Sequence, residues 1–216
     1  VTGEGLERPV VASFDVDGTL TTADCVRPFL RRVGGRRGVL VAVARRPIAA
    51  LRALARRDRD HLKEIVAGGV LRGREVAEVA ALGRSFAAHV EASMLRADVV
   101  ERLRWHQAHG HVTVIVSASL RPYLEPLGAA LGVDAVLCTD VVSAGGRYTD
   151  RLDGGNCRGP EKAVRLAAWL GSSALDAAEI WAYGDSSGDR ELLAMAHRPQ
   201  WVRRATVLGV PDGARP

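Results

Sequence analysis

The placement of four short apolar runs constrains this chain more than any other feature. "VVASFDV" (10–16), "HVTVIVSAS" (111–119), "DAVLCTDVV" (134–142) and "EIWAYGDSS" (179–187) are strand-length and bounded by Asp, Gly or Ser. Helical patterns separate the last three, at 121–132 and at 160–171, the second with Pro at its start and Gly at its end. Strands alternating with helices predict an α/β fold built on a parallel, doubly wound sheet. Between the first and second runs the alternation lapses. From 23 to 109 the pattern is helical, as in 74–94 with apolar residues three and four apart, and "GVLVAVA" (38–44) is the sole strand candidate. This interval is expected to be an all-α insert, and 143–159, rich in Gly, Asp and Arg, a hairpin or irregular loop.

With 216 residues and 47% hydrophobic content the chain can bury a true core. Three cysteines without CxxC spacing suggest neither a disulfide framework nor a zinc site, and a reducing cytoplasm is the expected location. The first ten residues lack the blocks of a signal peptide, and no run reaches the roughly 18 apolar residues of a membrane span. The net charge of +5 is local: residues 27 to 63 hold twelve Lys/Arg against Asp58 and Asp60, a net of +10, leaving −5 elsewhere. Only Lys63 and Lys162 are lysines among thirty basic residues, so Lys162 stands out.

The first run ends on two aspartates one residue apart, Asp15 and Asp17. Paired carboxylates repel one another and are costly to desolvate unless a cation or donors compensate. Ser117, Asp185 and Asp189 also fall at or past predicted strand ends, and Lys162 opens a helix. In an open α/β sheet those ends form the ligand crevice. Carboxylate oxygens suit Mg²⁺, and a cation, an ammonium, a hydroxyl and turn amides together suit phosphate. Asp15 could then attack phosphorus, and Asp17 could protonate the leaving group and later deprotonate water.

On "FDVDGTLT" (14–21), "VIVSAS" (114–119), "GPEK" (159–162) and "YGDSSGDRELL" (183–193), in that order, the chain resembles the haloacid dehalogenase (HAD) superfamily, and within it the phosphoserine-phosphatase-like subfamily. The resemblance implies a Rossmann-like core (1–22 and 110–216), an inserted helical cap of the C1 type (23–109), and Mg²⁺-dependent phosphomonoester hydrolysis. It makes Asp15 the nucleophile and a metal ligand, and Asp17 the acid/base that also offers its backbone carbonyl to Mg²⁺. Ser117 and Lys162 would hold the phosphoryl oxygens, Asp185 would ligate the metal, and Asp189 would complete or orient its shell. Gly188 departs from the Asn common in phosphoserine phosphatases and puts phosphoserine itself in doubt.

Other readings compete. Asp24 is either a substrate-contacting acid, as the resemblance implies, or a helix cap. Arg27, Arg56, Arg59, His61 and Lys63 are candidates for substrate selection. "HQAHGH" (106–111) reads as a helix C-terminus entering a strand, with partly protonated histidines suiting the dipole, ahead of a metal site. Cys25 reads as a small buried side chain. The Arg-rich stretch reads first as a solvated or core-packing face, then as a funnel for anionic substrate, and only then as a membrane contact. It lacks the interleaved aromatics of a nucleic-acid platform, so nucleic acid is not an expected partner. The substrate is expected to be a small phosphorylated metabolite such as phosphoserine. The alternatives are a phospholipid headgroup such as phosphatidylglycerophosphate, a phosphotransferase, or a phospho-accepting signalling domain.

Overall fold

The computed structural model describes residues 8–56, 59–203 and 208. Six strands form one sheet: β1 (Val10–Phe14), β2 (Val112–Leu120), β3 (Ala135–Ala144), β4 (Arg147–Asp153), β5 (Glu179–Gly184) and β6 (Arg198–Trp201). Their order is β4-β3-β2-β1-β5-β6. All neighbours are parallel except β3 and β4, an antiparallel hairpin turned by Gly145 and Gly146. The chain thus switches direction across the sheet at β1, which pairs with β2 on one side and β5 on the other, and the crevice beyond the strand ends opens there. β6 has no counterpart in the apolar pattern, because an edge strand can carry Pro199 and polar side chains.

Alternate residues of β1 serve the two faces of the sheet. Val11 packs with Val114, Val116 and Leu166, whereas Ala12 and Phe14 pack with Leu103, Ile115 and Leu127. The Phe14 ring stacks on Tyr183 at 4.5 Å. Helices α7 (Arg121–Leu131), α8 (Pro160–Ser172) and α9 (Arg190–Met195) link the later strands.

The insert contains α1 (Val26–Arg45), α2 (Pro47–Ala55), α3 (Arg59–Lys63), α4 (Gly69–Leu71) and α5 (Val76–Ser93). The run 38–44 lies within α1, where a helix satisfies its backbone groups without any strand to pair with. The chain leaves the sheet at Thr21, which pairs with Leu95, and Arg96 N–H donates to the Leu20 carbonyl at 2.9 Å. Helix α6 (Ala97–Ala108) then packs back on the sheet side, with Leu103 and His106 fully buried. The expected cap boundary at 109 therefore falls after a helix that belongs spatially with the sheet. Helical periodicity reports a buried face and is silent on which body buries it.

A second junction ties the insert to the β3–β4 hairpin. Glu75 pairs with Arg147, Tyr148 N–H donates to the Arg74 carbonyl at 3.0 Å, and the Arg46 guanidinium meets Asp150 at 2.7 Å. Gly68 permits this approach, since a Cβ there would lie 2.3 Å from the Asp150 carbonyl oxygen.

Candidate active site

Asp15 follows the last residue of β1, and its N–H donates to the Tyr183 carbonyl on β5 at 2.9 Å. The chain then makes a tight turn over Val16–Leu20, in which Gly18 has φ +89°. A Cβ at Gly18 would stand 2.2 Å from Asp185 Oδ2, so glycine is required both for the backbone conformation and for the approach of that carboxylate. The turn thereby brings the end of β1 against the residue that follows β5.

Asp15, Asp185 and Asp189 each present a carboxylate oxygen within 4.8 Å of the others. Lys162, buried near the start of α8, donates from Nζ to Asp15 Oδ1 and to Asp189 Oδ1, both at 2.5 Å. Burial alone would pull the Lys162 pKa down, but the two carboxylates push it up to about 12, so it stays charged. Asp189 Oδ2 accepts from the Ser186 N–H and hydroxyl at 3.0 and 2.9 Å, which caps the short turn before α9. Asp189 is thus at once the cap of that turn and a member of the acidic group.

One ammonium does not neutralise three carboxylates. Asp185 Oδ1 is buried without a hydrogen-bond partner, and Asp185 is pushed up to about 6 by burial and then by Asp15 and Asp189. Burial likewise raises Asp15, against the pull of Lys162. Oxygen-only donors, an orphaned carboxylate oxygen and excess negative charge together fit a hard divalent cation such as Mg²⁺.

Asp17 is turned away from this trio. Its Oδ1 accepts from the Cys25 N–H at 2.8 Å, and its Oδ2 accepts from the Ser119 hydroxyl at 2.7 Å. Ser119 in turn accepts from the buried Tyr123 hydroxyl at 2.7 Å. Burial, then the neighbouring Asp15 charge, lifts Asp17 to about 6. Tyr123 is itself wedged between Phe29 of α1 and Phe86 of α5, with ring centroids 4.8 and 5.3 Å away. Packing between insert and core thus holds the hydroxyl chain that aims Asp17. Ser117, also buried, accepts from the Ser119 N–H at 3.2 Å. Sequence reasoning chose Ser117 and missed Ser119, although two serines two apart on a strand share a face.

A cleft of about 780 Å³ opens beside Asp17 between the insert and the strand ends. Its polar lining includes Asp24, Arg27, Arg31, Lys63, Asn156 and Arg158, and its apolar wall is formed by Leu30, Val39, Val43, Leu62 and Val66. Lys63 donates to Asn156 at 3.0 Å. Asp24 faces the cleft and also accepts from the N–H groups of Val26 and Arg27 at 3.3 Å, so it is both wall and helix cap. Arg56 is not brought here. It lines a separate depression with Arg52 and His61, while the Arg59 side chain lies outside the described residues. Arg31, Asn156 and Arg158 were not anticipated, since periodicity does not show which face of α1 or of a loop looks into a cleft.

Within 106–111, one histidine differs from its expected charge state. His106 is fully buried, with Nδ1 2.7 Å from His111 Nδ1 and Nε2 2.8 Å from the Tyr183 hydroxyl. Burial, then the neighbouring His111, Arg102 and His109, pushes it down to about 3, so it is neutral and structural. Cys25 is buried, and burial and Asp17 push its thiol well up, which keeps it protonated.

A profile of the haloacid dehalogenase-like hydrolases matches residues 12–194, and the chain belongs to that family. It is 38% identical over 197 residues to protein CicA of Caulobacter vibrioides, covering 91% of this chain and 87% of that one. A crystal structure of a protein of unknown function from Bordetella pertussis Tohama I superposes with a TM-score of 0.73 at 29% identity, covering 88% of each chain. A substrate-bound phosphoserine phosphatase complex shares the fold, with a TM-score of 0.59 at 14% identity over 88% of this chain and 84% of that one.

Proposed function

We propose that the chain is a Mg²⁺-dependent phosphomonoester hydrolase that works through an aspartyl-phosphate on Asp15. The observation that carries this reading is the division of labour between two carboxylates two residues apart. Asp15 is locked to Lys162 within the acidic trio, and Asp17 is aimed separately by Ser119 beside the cleft. An Asp15 oxygen attacks phosphorus as the phosphorus–oxygen bond to the leaving group breaks, and protonated Asp17 gives its proton to that alkoxide. Asp17, now a carboxylate, takes a proton from water, whose oxygen attacks the same phosphorus. Inorganic phosphate departs, and both aspartates return to their starting forms. Lys162 and Ser117 supply charge and hydrogen bonding for the phosphoryl oxygens. Asp15, Asp185, Asp189 and the Asp17 carbonyl would hold Mg²⁺, whose charge offsets that of the phosphoryl oxygens.

The cleft's cationic groups favour a small substrate with a second anionic group, as a phosphorylated amino acid has. Its apolar wall of Val39, Val43 and Leu62 favours, as a second reading, a phosphorylated lipid headgroup with its attached chain. Three free, buried cysteines suit the cytoplasm. A phosphotransferase or a long-lived phosphoprotein is the weaker reading, because Asp17 is held where it can activate water.

The test is phosphate release from amino-acid, sugar, nucleotide and lipid phosphomonoesters, with Mg²⁺ and with EDTA. Turnover should require the metal, and Asp15→Asn should lower it by roughly 10⁴-fold or more. Undiminished turnover by Asp15→Asn would sink the mechanism, and transfer to an added acceptor in preference to water would make the chain a phosphotransferase.

A further inference from the structure

Helix α2 is amphipathic in the wrong sense for a helix facing water. It buries its small residues, Ala50 and Ala53 at 7% and 2% exposure, and leaves Ile48, Leu51 and Leu54 at 65%, 68% and 65%. Leu40 and Val41 of α1 add to the same tip at 69% and 46%, so five of the eight large apolar residues exposed among the described residues fall within fifteen positions. Between 26 and 56 there are nine exposed arginines and no acidic residue; Arg27 and Arg31 line the cleft and Arg46 meets Asp150, which leaves six for the outer surface.

We propose that the outer side of α1 and α2 docks on an anionic lipid bilayer. Aliphatic side chains enter the headgroup–acyl boundary while guanidinium groups meet lipid phosphates, a pairing that matches both halves of this surface. A second copy of the chain fits less well, since a self-complementary contact would set arginines against arginines with no acidic residue between them. Nucleic acid would leave the Leu and Ile side chains without a role, as the segment has no exposed aromatic to stack on bases. No helix among the described residues is long and apolar enough to cross a membrane, so the contact is peripheral. The same stretch of α1 that presents Leu40 and Val41 outward turns Val39 and Val43 into the cleft. Docking would therefore place the cleft beside the lipid surface; that last step rests on the phosphatase reading, whereas docking does not.

The test is co-sedimentation of the whole chain, without substrate, with phosphatidylcholine vesicles that contain or lack phosphatidylglycerol. Binding is expected only with the anionic vesicles, and it should weaken as salt rises. The variant Leu51→Asp/Leu54→Asp should bind at least about tenfold more weakly, and Arg52→Glu/Arg56→Glu by roughly fivefold or more per arginine. All four positions are exposed, and unchanged thermal melting would establish that the variants fold. Absence of binding to anionic vesicles, equal binding to neutral ones, or parental binding by both variants would overturn the proposal. So would a stable dimer that Leu51→Asp/Leu54→Asp dissolves, which would give the face to a second copy. Because no turnover is measured, failure of the phosphatase reading would leave this result standing.

Discussion

At the strand ends, Lys162 is buried in contact with Asp15 and Asp189, with Asp185 beside them, whereas at the α1–α2 tip arginines and five large apolar side chains lie outside. The first region has charge that the protein alone does not balance, the second has apolar surface that it does not cover. Either condition is unfavourable in isolation: a buried carboxylate without a partner costs several kcal/mol, and an exposed Leu or Ile forgoes about 1.5–3 kcal/mol of burial. We have proposed a hard cation as the complement of the first and a lipid surface as that of the second. Between the two lies the cleft, which shares Asp17 with the first and α1 with the second.

The contrast can be broken most sharply at Ser119. Removing its hydroxyl frees Asp17 Oδ2 and leaves Tyr123 without its acceptor, while the acidic trio keeps its contacts. Ser119→Ala should lower kcat by roughly 10–100-fold with KM little changed. An equal loss in KM would make Ser119 a binding residue, and Ser119→Thr, which keeps the hydroxyl, should recover part of kcat.

A smaller effect lies where α6 packs against the sheet, away from both regions. Unfolded His106 takes up a proton near 6.5, and the folded, buried imidazole does so only near about 3. Between these values the unfolded state binds more protons, so this contribution to stability is complete above about pH 6.5 and declines as pH falls. The loss relative to neutral pH reaches roughly 2 kcal/mol by about pH 5. Asp17 and Asp185, with raised values, act in the opposite direction, so the clean readout is the difference in urea stability between parent and His106→Gln across that range. A pH-independent difference would show that His106 titrates normally.

Asp185→Asn should end metal-dependent turnover, yet raise the stability of the metal-free protein. It removes one of three mutually repelling carboxylates, and because Asp185 is partly exposed the gain is discounted to about 1 kcal/mol, or roughly 2–4 °C in Tm. A lower Tm without metal would contradict the charge imbalance assigned to the site. At the tip, Leu51→Asp/Leu54→Asp should shift stability least, by under about 0.5 kcal/mol, since neither side chain packs on the core. A clear loss would mean that these residues support the fold.

The residues legible in the sequence were those whose position follows from a strand end. Asp15, Asp17, Asp185 and Asp189 punctuate apolar runs, and Lys162 follows a Gly-Pro that opens a helix, so sheet topology alone gathers them. What stayed hidden depended on contacts between distant segments. Ser119 gains its role from Tyr123 and Asp17, and Arg158 and Arg31 from a cleft that exists only once the insert is seated. Helix α6 was placed with the insert because its periodicity matches that of its neighbours, yet Arg102 donates to Tyr183 of β5 at 3.1 Å, a contact with no local signature.

The two junctions of the insert have a mechanical consequence. With the seat of α5 on α7, where Phe86 meets Tyr123 and Gly83 lies against the Pro122 carbonyl, the Thr21–Leu95 pair and the β3–β4 hairpin hold the insert at three separate places. Asp24 lies three residues past the first point, and Lys63 is bonded to Asn156, three residues past the end of β4. A body held at three places cannot turn as a unit without breaking one of these contacts. The width of the cleft is therefore set by the framework and does not wait on a movement of the insert.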